Sequence, residues 1–584
     1  MRPAWCANTG INERRSALSE HVDAVNPPGL LRFDTLARDV ADAYTSADVE
    51  KLREINWTYG TSFRWERQPE LMHAHLPTWF AASARTADQA IADARQLVAA
   101  MSGFQDWNAL VDNLSAALKA RPTGGSAGME ASPARLPEAH FYSIDLDRRT
   151  IGVRGPLSER HWDTVVSVMR EHGLTGVWAP GAPDAALQRL SHVEGITRLH
   201  VGGGQLSDEG LRHVARLGTL EELSLGGPRS AITDRGLDVL RHLPCLTRAW
   251  MPWTPRITDA GVANLAQCER LEIVDLMGTP TGDAAIAALA GHSSLRRFAS
   301  GTRVTDAGTA RLAGFPQFRT WHNGEIACDL GRFDSDPTHL LIDGPFTGAG
   351  LACFPDLDGL FGLNLFWHAT HLTSASFEAI AALPRLGFLR IDRDGATTDD
   401  NLAALSRSRT LQQLSCGDHS SVTGRGFAAL ATMPLLQGLS IDCGSIEDQS
   451  LVLLAQFPSL RTFWPRNLSD ERFQYVGACS DLASLAFPQG ATDAATRHIA
   501  TLPHLRTLSA ANSAITDRSL EILAHIPSLQ ALDLHDCPGI TDAGIASLSA
   551  LPQLTTLVVY GCPHVTPMGT ATLPSTVQVK RSCD

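Results

Sequence analysis

Residues 540–562 read ITDAGIASLSALPQLTTLVVYGC. Thr541 and Asp542 are good helix N-cap residues, because a side-chain oxygen there satisfies free backbone N–H groups at a helix start. Ile545, Leu548 and Leu551 follow at helical spacing and form one apolar stripe. Pro552 ends the helix. Leu554, Leu557 and Val559 then make L-x-x-L-x-V, a short strand whose apolar side chains point to one side. One such unit cannot bury its apolar face alone, so it is expected to work only in a stack of similar units.

The stretch recurs along the chain. ITDRSLEILAHIPSLQALDLHDC (515–537), ITDRGLDVLRHLPCLTRAWM (232–251) and ITDAGVANLAQCERLEIVDLMG (257–278) match it closely. VTDAGTARLAGFPQFRTWHNG (304–324) and VTGRGFAALATMPLLQGLSIDCG (422–444) also fit, with weaker copies at 206–227, 372–392 and 446–464. The Asp recurs at Asp208, Asp234, Asp259, Asp283, Asp306, Asp399, Asp448, Asp470, Asp493, Asp517 and Asp542. Most spacings are about 22–26 residues, within the range of leucine-rich repeats.

The I/V-T-D-x-G-L start, the L-x-x-L-x-L strand, and Cys537 and Cys562 just after two strands resemble the cysteine-containing class of leucine-rich repeats, as in F-box-type substrate receptors. Cys268 and Cys479 stand at the convex Cys position of that pattern. Over about 140–584 the resemblance implies an α/β leucine-rich-repeat solenoid, curved, with parallel strands on the concave side and helices on the convex side. Two further units are expected at 155–181 and 182–204. HFYSIDLDRRTIGVRG (140–155) alternates around a turn and suits an N-terminal cap. The period fails after Asp306. IACDLGRFDSDPTHLLIDG (326–344) is expected to be a shortened unit in which Leu340 and Ile342 keep the strand phase. It is either a tolerated deletion on the convex side, or a kink or docking notch.

Residues 119–137, KARPTGGSAGMEASPARLP, read as a flexible linker. Residues 1–118 ahead of them are expected to form a small all-α domain, and 138–584 the array. Helical periodicity is clear at Ile91, Ala94, Leu97 and Val98, and again at Trp107, Leu110, Val111 and Leu114. ARQLVAAMSGFQDWNALVDNL (94–114), with its Gly103, Phe104 and Trp107 core, resembles a helical segment found beside ankyrin arrays in bacterial proteins, which implies a bacterial origin and an interaction accessory. No F-box-like L-P-x-E…W pattern occurs in this part.

Composition narrows the function. The chain has 584 residues, 44% hydrophobic and 19% charged, with a net charge of −13. No basic block is present, so nucleic acid is not an expected partner. No signal peptide is visible and no apolar run approaches a membrane span, so a cytoplasmic protein without membrane attachment is expected. The 11 Cys are scattered with no CxxC pair, which suits free thiols in a reducing compartment.

The sequence offers no catalytic motif. HVGGGQLSDEG (200–210) has three glycines but lacks the Lys of a phosphate loop, and reads as a turn after a strand. HAH (73–75) has no third ligand at zinc-like spacing. No HExxH or GxSxG occurs. Cys416 takes the place of a strand Leu and is expected to be a small buried residue. No enzyme activity, cofactor, metal or small-molecule substrate is therefore expected.

The alternating strand positions that face away from the core are free to bind. That row is expected to run Trp178, His200, Ser224, Trp250, Asp275, Ala299, His322, Asn364, Arg390, Ser415, Ser440, Trp464, Ala486, Ser509, Asp533 and Val558. Flanking positions add Arg248, Met277, Arg297, Phe366, Asp392, Asp442, Arg466, His535 and Tyr560. Bulky and charged residues dominate from Trp178 to Arg390, whereas Ser and Ala dominate later, apart from the pair Trp464 and Arg466. Trp and Arg are enriched at interface hot spots. The expected function is a non-enzymatic scaffold that binds a protein or peptide there. The candidate contacts are Trp178, His200, Arg248, Trp250, Asp275, Arg297, His322, Asn364, Phe366, Arg390, Asp392, Trp464, Arg466 and Tyr560. The alternative is an adaptor or delivered effector whose N-terminal domain recruits machinery, ubiquitin-ligase-like, while the array selects targets.

Overall fold

The computed structural model describes residues 141–581, apart from 154–156, 204–205, 322–325, 327, 331, 334–335, 353, 393–394 and 418–420, together with thirteen positions between 37 and 111. The chain divides into two compact units, Met1–Ser132 and Pro133–Asp584. In the first unit every described residue is helical. Ala37, Val40, Ala41, Ala94 and Val98 are buried there, and the Arg95 guanidinium lies 5.5 Å from the Trp107 ring centre. Gly103, Phe104 and the HAH stretch fall outside the described residues.

The second unit is an α/β solenoid. Nineteen of its described strands form one sheet in which each turn of the coil adds a strand beside the previous one, and the other two form a separate hairpin. The sheet opens with an antiparallel hairpin, β1 (Tyr142–Asp145) and β2 (Thr150–Val153). β3 (Gly176–Trp178) pairs parallel with β2, and every later pairing in the sheet is parallel. Between successive parallel strands a short helix returns the chain along the other side. One continuous apolar core runs the length of the coil, including Ile545, Leu548, Leu551, Leu554, Leu557 and Val559 of the 540–562 turn.

The T-D-x-G start has a structural reason beyond capping. Thr541 is the N-cap, and its hydroxyl accepts the Ala543 N–H. Asp542 faces forward, and its carboxylate accepts the N–H and hydroxyl of Thr566 in the next turn at 2.7 and 2.6 Å. Asp517 does the same for Thr541 at 2.8 and 2.6 Å, Asp208 for Thr233 and Asp399 for Thr423. The recurring Asp therefore links neighbouring turns. Gly544 is required by the same link, because a Cβ there would stand 2.2 Å from Asp517 Oδ1. The ladder breaks where Thr347 is followed by Gly348 instead of Asp. Thr373, the next N-cap, closes a local capping box with Ser376 instead.

The Cys positions are also structural. The Cys562 thiol bonds the Leu534 carbonyl at 2.9 Å, and Cys537 bonds Ala510 O at 3.0 Å. Cys416 is buried in its strand, and burial pushes its thiol up to about 12.

The stretch from 304 to 344 differs from expectation. It makes one long turn, not two: Thr347 donates its N–H and hydroxyl to Asp306, 41 residues back, where the usual separation is 22–25. The strand His339–Ile342 pairs directly with Arg297–Ala299. Pro316 starts a second helix, Pro316–Thr320, whose Phe318 packs on Phe315 and through it on Phe298. The residues once expected to shorten a unit instead lengthen it. Cys328–Asp329 and Arg332–Phe333 form an inserted hairpin. Leu340 and Ile342 do lie in the strand, with their side chains in the core.

Candidate functional site

The free face of the sheet carries one residue of each strand in register. Paired positions run Gly152, Trp178, His200, Ser224, Trp250, Asp275 and Ala299, then Leu341, Asn364, Arg390, Ser415, Ser440 and Trp464. The position expected for His322 belongs to Leu341, and His322 itself lies outside the described residues. The row follows from alternation: Val177, Leu199, Leu223, Ala249 and Val274 are at most 1% exposed, so their neighbours must face outward.

At the upstream end the row is an aromatic stack. Trp178 lies on His200, with ring centres 5.0 Å apart and planes at 29°. His200 reaches past the small Ser224 to Trp250, at 5.8 Å and 27°. Trp178 remains 53% exposed, which makes it one of few large apolar side chains left in solvent among the described residues. Beneath the stack, Glu222 pairs with Arg248 at 2.6 Å and stands 3.8 Å from His200 Nε2. His200 above all, with Arg248 adding, holds the Glu222 carboxyl below the usual carboxylate range against the opposing effect of burial.

A charged knot follows. Asp336, just after the inserted hairpin, bridges Arg296 at 3.1 Å, Arg297 at 3.2 Å and Arg248 at 3.8 Å. Burial alone would raise the Asp336 carboxyl, but the three guanidinium groups hold it low. Asp275 behaves oppositely. Burial pushes its carboxyl up to about 6, against the Met277 N–H at 2.9 Å and Arg297.

The inserted hairpin lies over the same face. Phe333 meets Phe388, Phe361 and His339 edge-on at 5.6, 6.0 and 5.3 Å. Gln413 clamps the hairpin backbone: its Nε2 donates to Cys328 O at 2.6 Å, and its Oε1 accepts the Leu330 N–H at 3.1 Å. Beneath it His339 is 5% exposed, bonded through Nε2 to Asn364 Oδ1 at 3.0 Å, and burial lowers its pKa to about 4. The ring is therefore neutral at pH 7, and the Asn364 oxygen selects the tautomer with the proton on Nε2.

Several candidates do not face solvent as expected. Asn364 and Phe366 are both 7% exposed, covered by His339 and by the Trp253, Met277 and Ala299 cluster respectively. Arg390 is half exposed, with its Nε shared by both Asp392 oxygens at 2.9 Å. Arg466 is turned onto the frame, donating to Ser440 Oγ at 3.0 Å and to the Gly417 and Cys416 carbonyls. Trp464 is half-buried beside it. Tyr560 stacks on His535 at 4.8 Å, and Asp533 raises the His535 pKa over the lowering effect of burial. Sequence reasoning missed Glu222, Asp336, Phe333 and Trp253. Glu222 lies one alternation before the chosen row and was legible; Asp336 and Phe333 belong to an insertion with no repeat phase.

No helix among the described residues is long and apolar enough to cross a membrane. No family model and no curated protein matches the sequence. Among solved structures, the chain is similar to the yeast Rad7 and Elc1 complex, at 15% identity over 72% of this chain and 92% of that one, TM-score 0.36. It is also similar to the leucine-rich-repeat protein LIC12759 of Leptospira interrogans, at 13% identity over 70% and 90%, TM-score 0.31. A complex of TLR13 with a single-stranded RNA matches at 15% identity over 75% of this chain and 67% of that one, TM-score 0.39.

Proposed function

We propose that the chain is a non-enzymatic scaffold that binds a protein or peptide on the free face of the sheet between Trp178 and Arg390. The observation that carries this is the Trp178–His200–Trp250 stack, which holds large rings in place on a rigid sheet and leaves Trp178 open to solvent. Rings already ordered lose little freedom on binding, which favours affinity. The partly exposed Cys245 thiol of the array suits work in a reducing, cytosolic compartment. The division into two compact units suits an adaptor in which residues 1–132 recruit machinery while the array selects the target.

Photo-crosslinking tests the location. A benzoylphenylalanine placed at Ser415, in register with Arg390, samples the free face, and one at the exposed Val452 samples the helical side. Discrete protein adducts are expected from position 415 and not from 452. Adducts from 452 alone would overturn the assignment of the face.

A further inference from the structure

We infer that the outer face of Trp178 is a slot for one neutral aromatic side chain of a peptide partner; this rests on the free-face binding proposed above. One face of Trp178 is covered by His200, yet the residue is 53% exposed, so its other face is open. The stack runs from Trp178 toward Trp250, so the open face looks back toward β2. The register partner there is Gly152, which contributes no side chain. Beyond it, β1 places Ser143 opposite Gly152, with its Oγ 3.0 Å from where a Cβ of residue 152 would stand. Trp178 and Ser143 are thus two strands apart, about 9.5 Å at the usual strand spacing. A ring stacked on Trp178 needs a centre-to-centre distance of about 4.5–7 Å, so the gap takes one ring. Across Ser224 a span of the same width, two strands, is closed by His200 and Trp250 themselves, whose rings stack at 5.8 Å, so the face accepts stacked rings over a small residue.

The walls select the occupant. Gly176 leaves room for Arg198 to cross above it, donating to Thr150 Oγ1 at 3.2 Å and to the Arg148 carbonyl. A fixed guanidinium beside the slot repels Lys and Arg, while a ring's π face attracts it. The chain's net charge of −13 opposes a polyanion, so an aromatic side chain is favoured over a nucleobase.

The test uses the full chain labelled with 5-fluorotryptophan, with the Trp178 fluorine line assigned by Trp178→Phe. The probes are N-acetyl-tyrosine amide, N-acetyl-leucine amide, N-acetyl-arginine amide and adenosine monophosphate, each titrated to about 50 mM because a single side chain binds on the order of 10 mM. The tyrosine amide is expected to shift the Trp178 line saturably, and the leucine and arginine amides are not. Gly152→Val fills the slot and should abolish the shift while the other tryptophan lines stay in place, which also reports that the sheet has folded. No shift, an equal shift from the leucine or arginine amide, or a tyrosine shift that survives Gly152→Val would overturn the slot. A larger response to the nucleotide would overturn the peptide assignment. Crosslinking from position 415 separates the two ideas: adducts there with no fluorine shift refute the slot and leave the binding face standing.

Discussion

If Asp517 and Gly544 form one inter-turn joint, their substitutions must not add. Asp517→Ala removes both acceptors of Thr541, at 2.8 and 2.6 Å. A charge-assisted hydrogen bond contributes about 1.5–3 kcal/mol when buried, and both residues here are half-buried, so about 2 kcal/mol for the pair is reasonable. Gly544→Ala alone drives a Cβ to 2.2 Å from Asp517 Oδ1 and displaces the same carboxylate. Its cost is offset by about 1 kcal/mol of better helix propensity, leaving a net loss of about 1 kcal/mol. In the Asp517→Ala background the carboxylate clash is gone and only the residue-517 Cα stays close, at 3.1 Å, so Gly544→Ala should be about neutral. The expected coupling is therefore about 1 kcal/mol. An array of this length opens in parts, so the measurement is amide exchange of the intact chain, read in peptides spanning 531–566. Asp517→Ala should speed exchange there by about 30-fold, at 1.36 kcal/mol per tenfold, and leave peptides around 222–250 unchanged. Costs that add to within about 0.5 kcal/mol would refute the joint.

Two further outcomes are expected. Asp399 and Asp493 sit below the usual carboxylate range: burial pushes them up, but the bonds from Thr423 to Asp399, and from Ser519 and Thr516 to Asp493, outweigh it. A folded pKa below the unfolded value of about 4 adds stability above pH 4 that is lost as pH falls through the folded value. Thermal midpoints of the native chain and Asp493→Asn should therefore differ at pH 6 and converge toward pH 2; a constant gap would exclude the linkage. Phe333→Ala should release the inserted hairpin, costing about 3 kcal/mol as an aromatic truncation. Exchange would rise in peptides covering 326–344 and not in the neighbouring strands; protection unchanged there would show that the ring does not hold the hairpin.

Much of the array was legible because its parts are local. The Thr cap, the helical stripe ending at Leu551 and the alternation through Val559 each span a few residues, and the same short-range physics acts in every turn. The outward row was legible for the same reason, since strand alternation places Trp178, His200 and Trp250 on one side without reference to distant residues. The errors arose where contacts are long-range. The V-T-D-A-G start predicts His322 for the row, yet Leu341 takes that register position, 35 residues beyond Asp306, while Phe315 and Phe318 of the inserted stretch pack toward Phe298. Asn364 and Phe366 occupy outward-facing positions but are covered by His339 and by Trp253 with Met277, neighbours that alternation does not reveal.

The sequence by itself determined the repeating unit, its phase and the side of the sheet left free, because a 3.6-residue stripe and a two-residue alternation are set by backbone geometry within each turn. Only the tertiary structure decided what the Asp and Gly of each turn are for, since their partners stand one full coil away. It likewise decided that the hairpin strands Cys328–Asp329 and Arg332–Phe333 lie over the sheet and that Trp178 keeps one face open. Both depend on which side chains from separate turns meet, and on the space left where Gly152 contributes none.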